Sequence, residues 1–270
     1  MKNVILVLLL LLFSQTVFSQ STVELSVGRN RKNDIQLFNG RNLDGWYTFL
    51  QNKGRANDPK NVFTVNHGMI RISGEEWGCI TTKKEFENYR LLIEFKWGEK
   101  TFEPRINNTR DSGVLLHSVG EDGGSQGIWM HSIECQIIEG GTGDFIVVGD
   151  GSDQFSITCP VAPEQQDDTY VFQLGGEPKT IHADRINWYG RDPNWKDVIG
   201  FRGERDVEKP LGEWNTLECV ADGDSISIFI NGILVNQASR VKPSKGRIQI
   251  QSEGAEIFFR RVDLLPLSKK

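Results

Sequence analysis

Past a short apolar leader, the sequence predicts an all-β protein, a two-sheet antiparallel β-sandwich of the jelly-roll type. Three observations predict it. Apolar and polar residues alternate with a period of two along many short segments, as on strands with one buried face. Glycine-containing turns separate those segments at near-regular intervals. No long segment after the leader carries the 3.6-residue period of an amphipathic helix.

The leader occupies residues 1–19. Lys2 is followed by the apolar run Val4 to Phe13, and Val17-Phe18-Ser19 supplies small residues where a signal peptidase would cut. A basic start, a short apolar run and a small-residue exit make a secretory signal peptide. The run is too short for a comfortable membrane span, and no cysteine near the cut provides a lipoprotein anchor. Cleavage after Ser19 gives a chain that begins at Gln20 and is exported to the periplasm or cell surface. Residues 20–34 are polar and read as a tail, leaving residues 35–270 as one jelly-roll domain. Lys2 is the only charge in the leader, so the net charge of −5 becomes −6 after its removal. A mildly acidic chain without basic runs argues against nucleic acid as a partner. No further segment is apolar enough for a membrane span.

Leu37-Phe38-Asn39-Gly40 and Leu43-Asp44-Gly45-Trp46 give an apolar pair, a turn and a Trp suited to burial. Val62–Val65 and Met69–Ile72 flank Asn66-His67-Gly68, a hairpin signature. Strands follow at Gly78–Thr82 and Tyr89–Trp97; the second alternates well except at Leu92. At the other end, Trp214–Val220, Ser225–Ile230 and Ile233–Val235 form a meander. Asp222-Gly223 and Asn231-Gly232 are its turns. Gly246–Gln251 and Glu256–Leu265 supply two more strands.

The most informative stretch runs from Asp111 to Asp150. In Ser132-Ile133-Glu134-Cys135-Gln136-Ile137, Ile133, Cys135 and Ile137 share one face, which suits a core. Glu134 and Gln136 share the other. His117 follows the strand Gly113–Leu116, and Glu139 and Asp144 flank a glycine-rich turn. A carboxylate, an amide and an imidazole at neighbouring strand ends suit a polar site on a rigid sheet. The alternative is a solvated strand face.

Residues 157–210 hold five prolines and scattered aromatics, and read as long loops with one inserted strand pair. Loops this long in a compact domain are usually functional. Arg185, Trp188, Tyr189, Arg191 and Trp195 lie there; such aromatics stack on sugars, and arginine binds hydroxyls or carboxylates. The same rings would also pin a long loop to the sandwich. The four cysteines, Cys79, Cys135, Cys159 and Cys219, form no CxxC pair, which disfavours a zinc knuckle. An exported chain permits disulfides, but the apolar setting of Cys135 and Cys219 favours free, buried thiols.

Several blocks in order resemble the 3-keto-disaccharide hydrolase domain family, whose fold is similar to concanavalin A-like lectins and glucanases. They are the Leu37–Gly40 and Leu43–Trp46 opening, Ser112–Leu115, Ile133–Ile137, Gly212–Thr216, Ile230–Gly232 and Ile250–Gly254. Together they cover nearly all of the chain after the leader. The long 157–210 segment departs from the pattern and bears on substrate size. The resemblance implies a carbohydrate-active enzyme that cleaves glycosides oxidised at C3. A C3 ketone acidifies the C2 hydrogen, so a base can remove it, the C1 substituent leaves, and water adds back. On that chemistry Glu134 is the expected base, with His117 as second choice and Glu253 as the acid. Arg110, Gln136 and Gln251 are expected to hold hydroxyls or the enolate oxygen, and Arg185 and Trp188 to contact the sugar. No cofactor is certain. A divalent metal is compatible with His117, His131 and Glu134 by ligand type, although His131 and Glu134 point to opposite faces of a regular strand. Two other functions fit the same blocks: a lectin-like sugar-binding module and an ordinary glycoside hydrolase.

Overall fold

A computed structural model describes residues 34–267. The leader and the tail up to residue 33 lie outside the described residues. Nineteen strands and no helix are found among them. No described helix is therefore available to cross a membrane.

The first third contributes β1 (Ile35–Gln36), β2 (Trp46–Leu50), β3 (Gly54–Arg55), β4 (Phe63–Asn66), β5 (Met69–Ile72), β6 (Gly78–Thr82) and β7 (Tyr89–Thr101). The middle gives β8 (Asp111–Val119), β9 (His131–Ile138), β10 (Phe145–Val148), β11 (Ser156–Val161), β12 (Tyr170–Val171), β13 (Glu177–Ile181) and β14 (Asp184–Asn187). The end gives β15 (Asn215–Asp222), β16 (Ser225–Ile230), β17 (Ile233–Lys242), β18 (Arg247–Ser252) and β19 (Ala255–Leu265). Local chemistry explains the tight hairpins. His67 and Gly68 both have positive φ between β4 and β5, as do Asn231 and Gly232 between β16 and β17. Two left-handed residues in a row make the turn whose twist matches the strands it joins.

The strands form a ten-stranded sheet, β13-β11-β17-β16-β15-β7-β19-β5-β4 with β1 on β19, and a nine-stranded sheet, β12-β14-β10-β9-β8-β18-β6-β2-β3. Non-consecutive neighbours in both sheets are those of a jelly-roll sandwich. The expected all-β, antiparallel architecture is present; β12 with β14 is a parallel pair. Between the sheets lies one large core that includes Phe95, Phe145, Phe259 and Trp188. The four cysteines are free and buried.

The segment after residue 156 differs from its reading as loops with one strand pair. It contains four strands: β11 and β13 extend one sheet, β12 and β14 the other. Pro160 and Pro178 stand opposite each other in β11 and β13. Proline interrupts the apolar runs by which strands are recognised, and is tolerated where a ladder ends.

Register across the nine-stranded sheet builds its outward face. Arg185, Ile146, Glu134, Leu115, Gln249, Thr81 and Tyr47 are successive neighbours in one row from β14 to β2. On the β18–β6–β2 side this face is filled. Ile128 and Trp129 pack there with Leu115, Cys79 and Phe49. The Met130 amide donates to Oε1 of Gln249 at 3.1 Å, and Nε2 of Gln249 donates to Thr81. The polar part of the face is thereby confined to β8, β9, β14 and the end of β18.

Candidate active site

Glu134 and Gln136 occupy the outward face of β9, while Ile133, Cys135 and Ile137 enter the core. Period-two alternation alone produces this division. Despite facing outward, Glu134 is only 4% exposed. Gly113 of β8 makes room for it. A Cβ at Gly113 would overlap Oε1 of both Glu134 and Gln251. The missing side chain is thus a cradle in which a carboxyl from β9 and an amide from β18 meet.

Two more carboxyls belong to the same group. Asp111 is buried at the start of β8, and Glu253 is half-buried just past the end of β18. Burial pushes the Glu134 carboxyl up to about 8; the Asp111 charge adds to this, and Arg185 and a hydrogen bond from Gln251 oppose it. Burial likewise raises Asp111 to about 7, against the pull of Arg105 and Arg185. Glu253 is held well above the ordinary glutamate range by burial and by the charges of Asp111 and Glu134. Three acids near one another cannot all ionise cheaply, so they retain protons near neutral pH. Arg105, which carries the only guanidinium bonded to Asp111 among the described ion pairs (3.3 Å), is itself tied to Asp197 at 3.0 Å.

The oxygens around Glu134 are unusual for a buried face. Oε1 of Gln136, Oε1 of Gln251 and Oδ1 of Asp111 are buried and lack a hydrogen-bond partner within the chain. Leaving such groups unmade is costly. Three of them beside one carboxyl cluster are what a site awaiting a polar ligand presents.

Of the other expected site residues, three are placed elsewhere. His117 does not face this group. It has a φ of 54° inside a register shift between Leu116 and Val119. The bulge turns its ring against Tyr89, with centroids 5.6 Å apart, and Nδ1 lies 2.9 Å from the Pro243 carbonyl oxygen. Burial lowers its pKa to about 4, so it is neutral and held by structure. Arg110 is one residue out of phase with Asp111 and points away. Its guanidinium is consumed by Glu139 at 2.8 Å and the Gly98 carbonyl at 3.0 Å. Trp188 is in the core at 1% exposure, donating to the Gly140 carbonyl; it pins the loop and offers no face to a sugar. Gln136, Gln251 and Glu253 are the expected residues that do gather around Glu134, and Arg185 lies two strands away in the same row, its charge acting on that carboxyl.

The suggested metal set does not converge. His117 lies against Tyr89, His131 stacks on Phe155 with centroids 4.5 Å apart, and Glu134 is on the opposite face of β9. Among the described residues no group of three or more His, Cys, Asp or Glu side chains is arranged to hold a metal ion.

Asp111 and Arg105 are the residues that sequence reading passed over. Parity carries a signal for Asp111, because Asp111, Gly113 and Leu115 share the face opposite the core residues Val114 and Leu116. Arg105 has none; it sits in a turn, and its contact with Asp111 depends on how the 102–110 loop folds back.

A buried carboxyl cluster beside unpartnered amide oxygens, on one sheet of a jelly roll, is suited to acid–base chemistry. The model of the 3-keto-alpha-glucoside-1,2-lyase-like domain matches residues 33–265, and the chain belongs to that family. It is therefore a carbohydrate-acting protein. Among solved structures, a candidate glycosyl hydrolase from Parabacteroides distasonis ATCC 8503 is similar, with a TM-score of 0.50 and 17% identity over 87% of this chain and 94% of that one. A second from the same organism has a TM-score of 0.48 and 19% identity, over 88% of this chain and 100% of that one. The first of these supports the fold. No curated protein matches the sequence.

Proposed function

We propose that the protein cleaves glycosides whose sugar is oxidised at C3, by elimination followed by hydration. Glu134 takes the C2 proton; the electron pair forms the C1–C2 double bond conjugated to the C3 ketone, and the C1–O bond breaks. The departing oxygen receives a proton from Glu253. Water then adds its oxygen to C1 and a hydrogen to C2, giving the free 3-keto sugar. Gln136 and Gln251 hold the substrate oxygens, the enolate oxygen among them.

The observation that carries this reading is the state of Glu134. Burial pushes the Glu134 carboxyl up to about 8, and Glu253 beside it is held well above the ordinary glutamate range, which suits a base and an acid working near neutral pH. An aromatic platform, as a lectin would use, is not what supports the face: Trp188 is in the core, and the Arg191 guanidinium stacks on Trp195. The test uses one disaccharide in native and 3-keto forms, each with and without a chelator. Cleavage of the keto form alone is expected. Equal cleavage of both would establish an ordinary glycosidase working through the carboxyl pairs, and binding without cleavage would establish a lectin. Activity lost with chelator and restored by a divalent ion would reveal a metal.

We also propose export to the periplasm or cell surface, supported by the composition of residues 1–19. Mass spectrometry of protein from its native host should find an N-terminus near Gln20. A retained Met1 would refute it.

A further inference from the structure

At the β12–β14 edge of the same sheet lies a cleft of about 310 Å³, lined in part by Gln166, Asn187, Arg185, Arg191 and Trp195. This is at the small end for a ligand site, with room for a compact molecule. It joins the Glu134 group through Arg185. In the register row, Arg185 is two strands from Glu134, with only the half-buried Ile146 between. Two strand spacings are about 10 Å, roughly the end-to-end length of a disaccharide, so a substrate with one ring over Glu134 reaches the cleft with its second. In the other direction the row is closed, since Leu115 and Gln249 are fully buried beneath the Ile128–Met130 segment.

The lining indicates what the cleft takes. Oδ1 of Asn187, a residue 6% exposed, and Oε1 of Gln166 are buried and have no partner within the chain. An amide needs both donors and acceptors, which hydroxyl groups supply in either orientation. The arginines are already committed. Arg191 bonds Asp144 at 2.7 Å and Arg185 bonds the same oxygen at 3.3 Å. Asp167, Asp184 and Asp192 also line the cleft, which disfavours an anion.

We propose that this cleft is the leaving-group subsite, and that it takes a neutral sugar ring. The oxidised ring then lies over Glu134 as the terminal unit of the substrate, because the far side of the row is filled. The leaving-group assignment rests on the elimination reading; the sugar-binding assignment does not.

The experiment separates the two. Saturation-transfer NMR on the full chain uses glucose and glucuronate as probes, with Gln166→Ala and Asn187→Ala as variants. Glucose should bind, and bind at least about tenfold more weakly to each folded variant, as loss of one or two hydrogen bonds implies. Glucuronate should bind less well than glucose. No glucose binding, a preference for glucuronate, or unchanged binding in Gln166→Ala would overturn the sugar site. In the kinetic arm, Gln166→Ala should raise KM for 3-keto-maltose about tenfold and leave methyl 3-keto-α-glucoside unaffected. Equal losses on both would overturn the leaving-group assignment. If the parent cleaves neither keto substrate, the elimination reading fails and the NMR arm alone decides the cleft.

Discussion

Glu134→Gln is expected to reduce turnover of a 3-keto glycoside by about a hundredfold or more while leaving the fold intact. The amide fills the same space in the Gly113 cradle but cannot accept a proton. The parent's kcat/KM should rise with pH through a limb between about 7 and 8, where Glu134 and its neighbour Asp111 give up their protons, not near 4–5 where an ordinary carboxyl would place it. The variant should lose that limb. Stability provides an independent check. The folded protein keeps a proton on Glu134 up to about 8, whereas the unfolded chain releases it near the ordinary value of 4.5. Between those limits the folded state binds more protons, so stability falls as pH rises through that window. Below about 4.5 the parent and the variant should melt alike, as far as this group is concerned. At pH 8–9 the variant should melt higher, by at least about 3 °C. Parent-like turnover in the variant would remove Glu134 from the chemistry, and an unchanged melting profile would show that its carboxyl is not buried as described.

Gly113→Ala should be nearly as damaging to activity, for a different reason. The added methyl would overlap the ends of two side chains, Glu134 and Gln251, and not the backbone. Such ends can swing aside, so the expected stability cost is about 1–2 kcal/mol at most. Their displacement by about an ångström, however, costs about a hundredfold in rate. The informative result is a folded protein that has lost kcat. A folded variant with parent kcat would mean that the meeting of Glu134 and Gln251 over Gly113 plays no part in turnover.

How much of this was legible beforehand follows from the range of the interactions involved. Strand parity is local, and it placed Glu134 and Gln136 on one face and Ile133, Cys135 and Ile137 on the other. Turn chemistry is local as well, and it located the His67-Gly68 and Asn231-Gly232 hairpins. His117 was misplaced because a single positive-φ residue in a bulge reverses the parity that follows from counting. Arg110 lies one residue out of phase with Asp111, the residue that strand parity from Gly113 and Leu115 places on the site face. The β11–β14 strands were hidden by proline and by lengths of two to six residues. The carboxyl cluster was partly visible through Glu134 and Glu253. Their meeting across β9, β8 and β18 is long-range, set by strand order and not by any local pattern.

The elimination route makes one claim that no direct displacement at C1 shares: the bond from C2 to hydrogen breaks in every turnover. NMR of the released 3-keto sugar, formed in deuterium oxide, measures it directly. A reaction with Glu134→Gln corrects for the exchange that a ketone undergoes unaided. The account predicts deuterium at C2 in step with cleavage, far above that control. Cleavage that leaves the original hydrogen at C2 would contradict it.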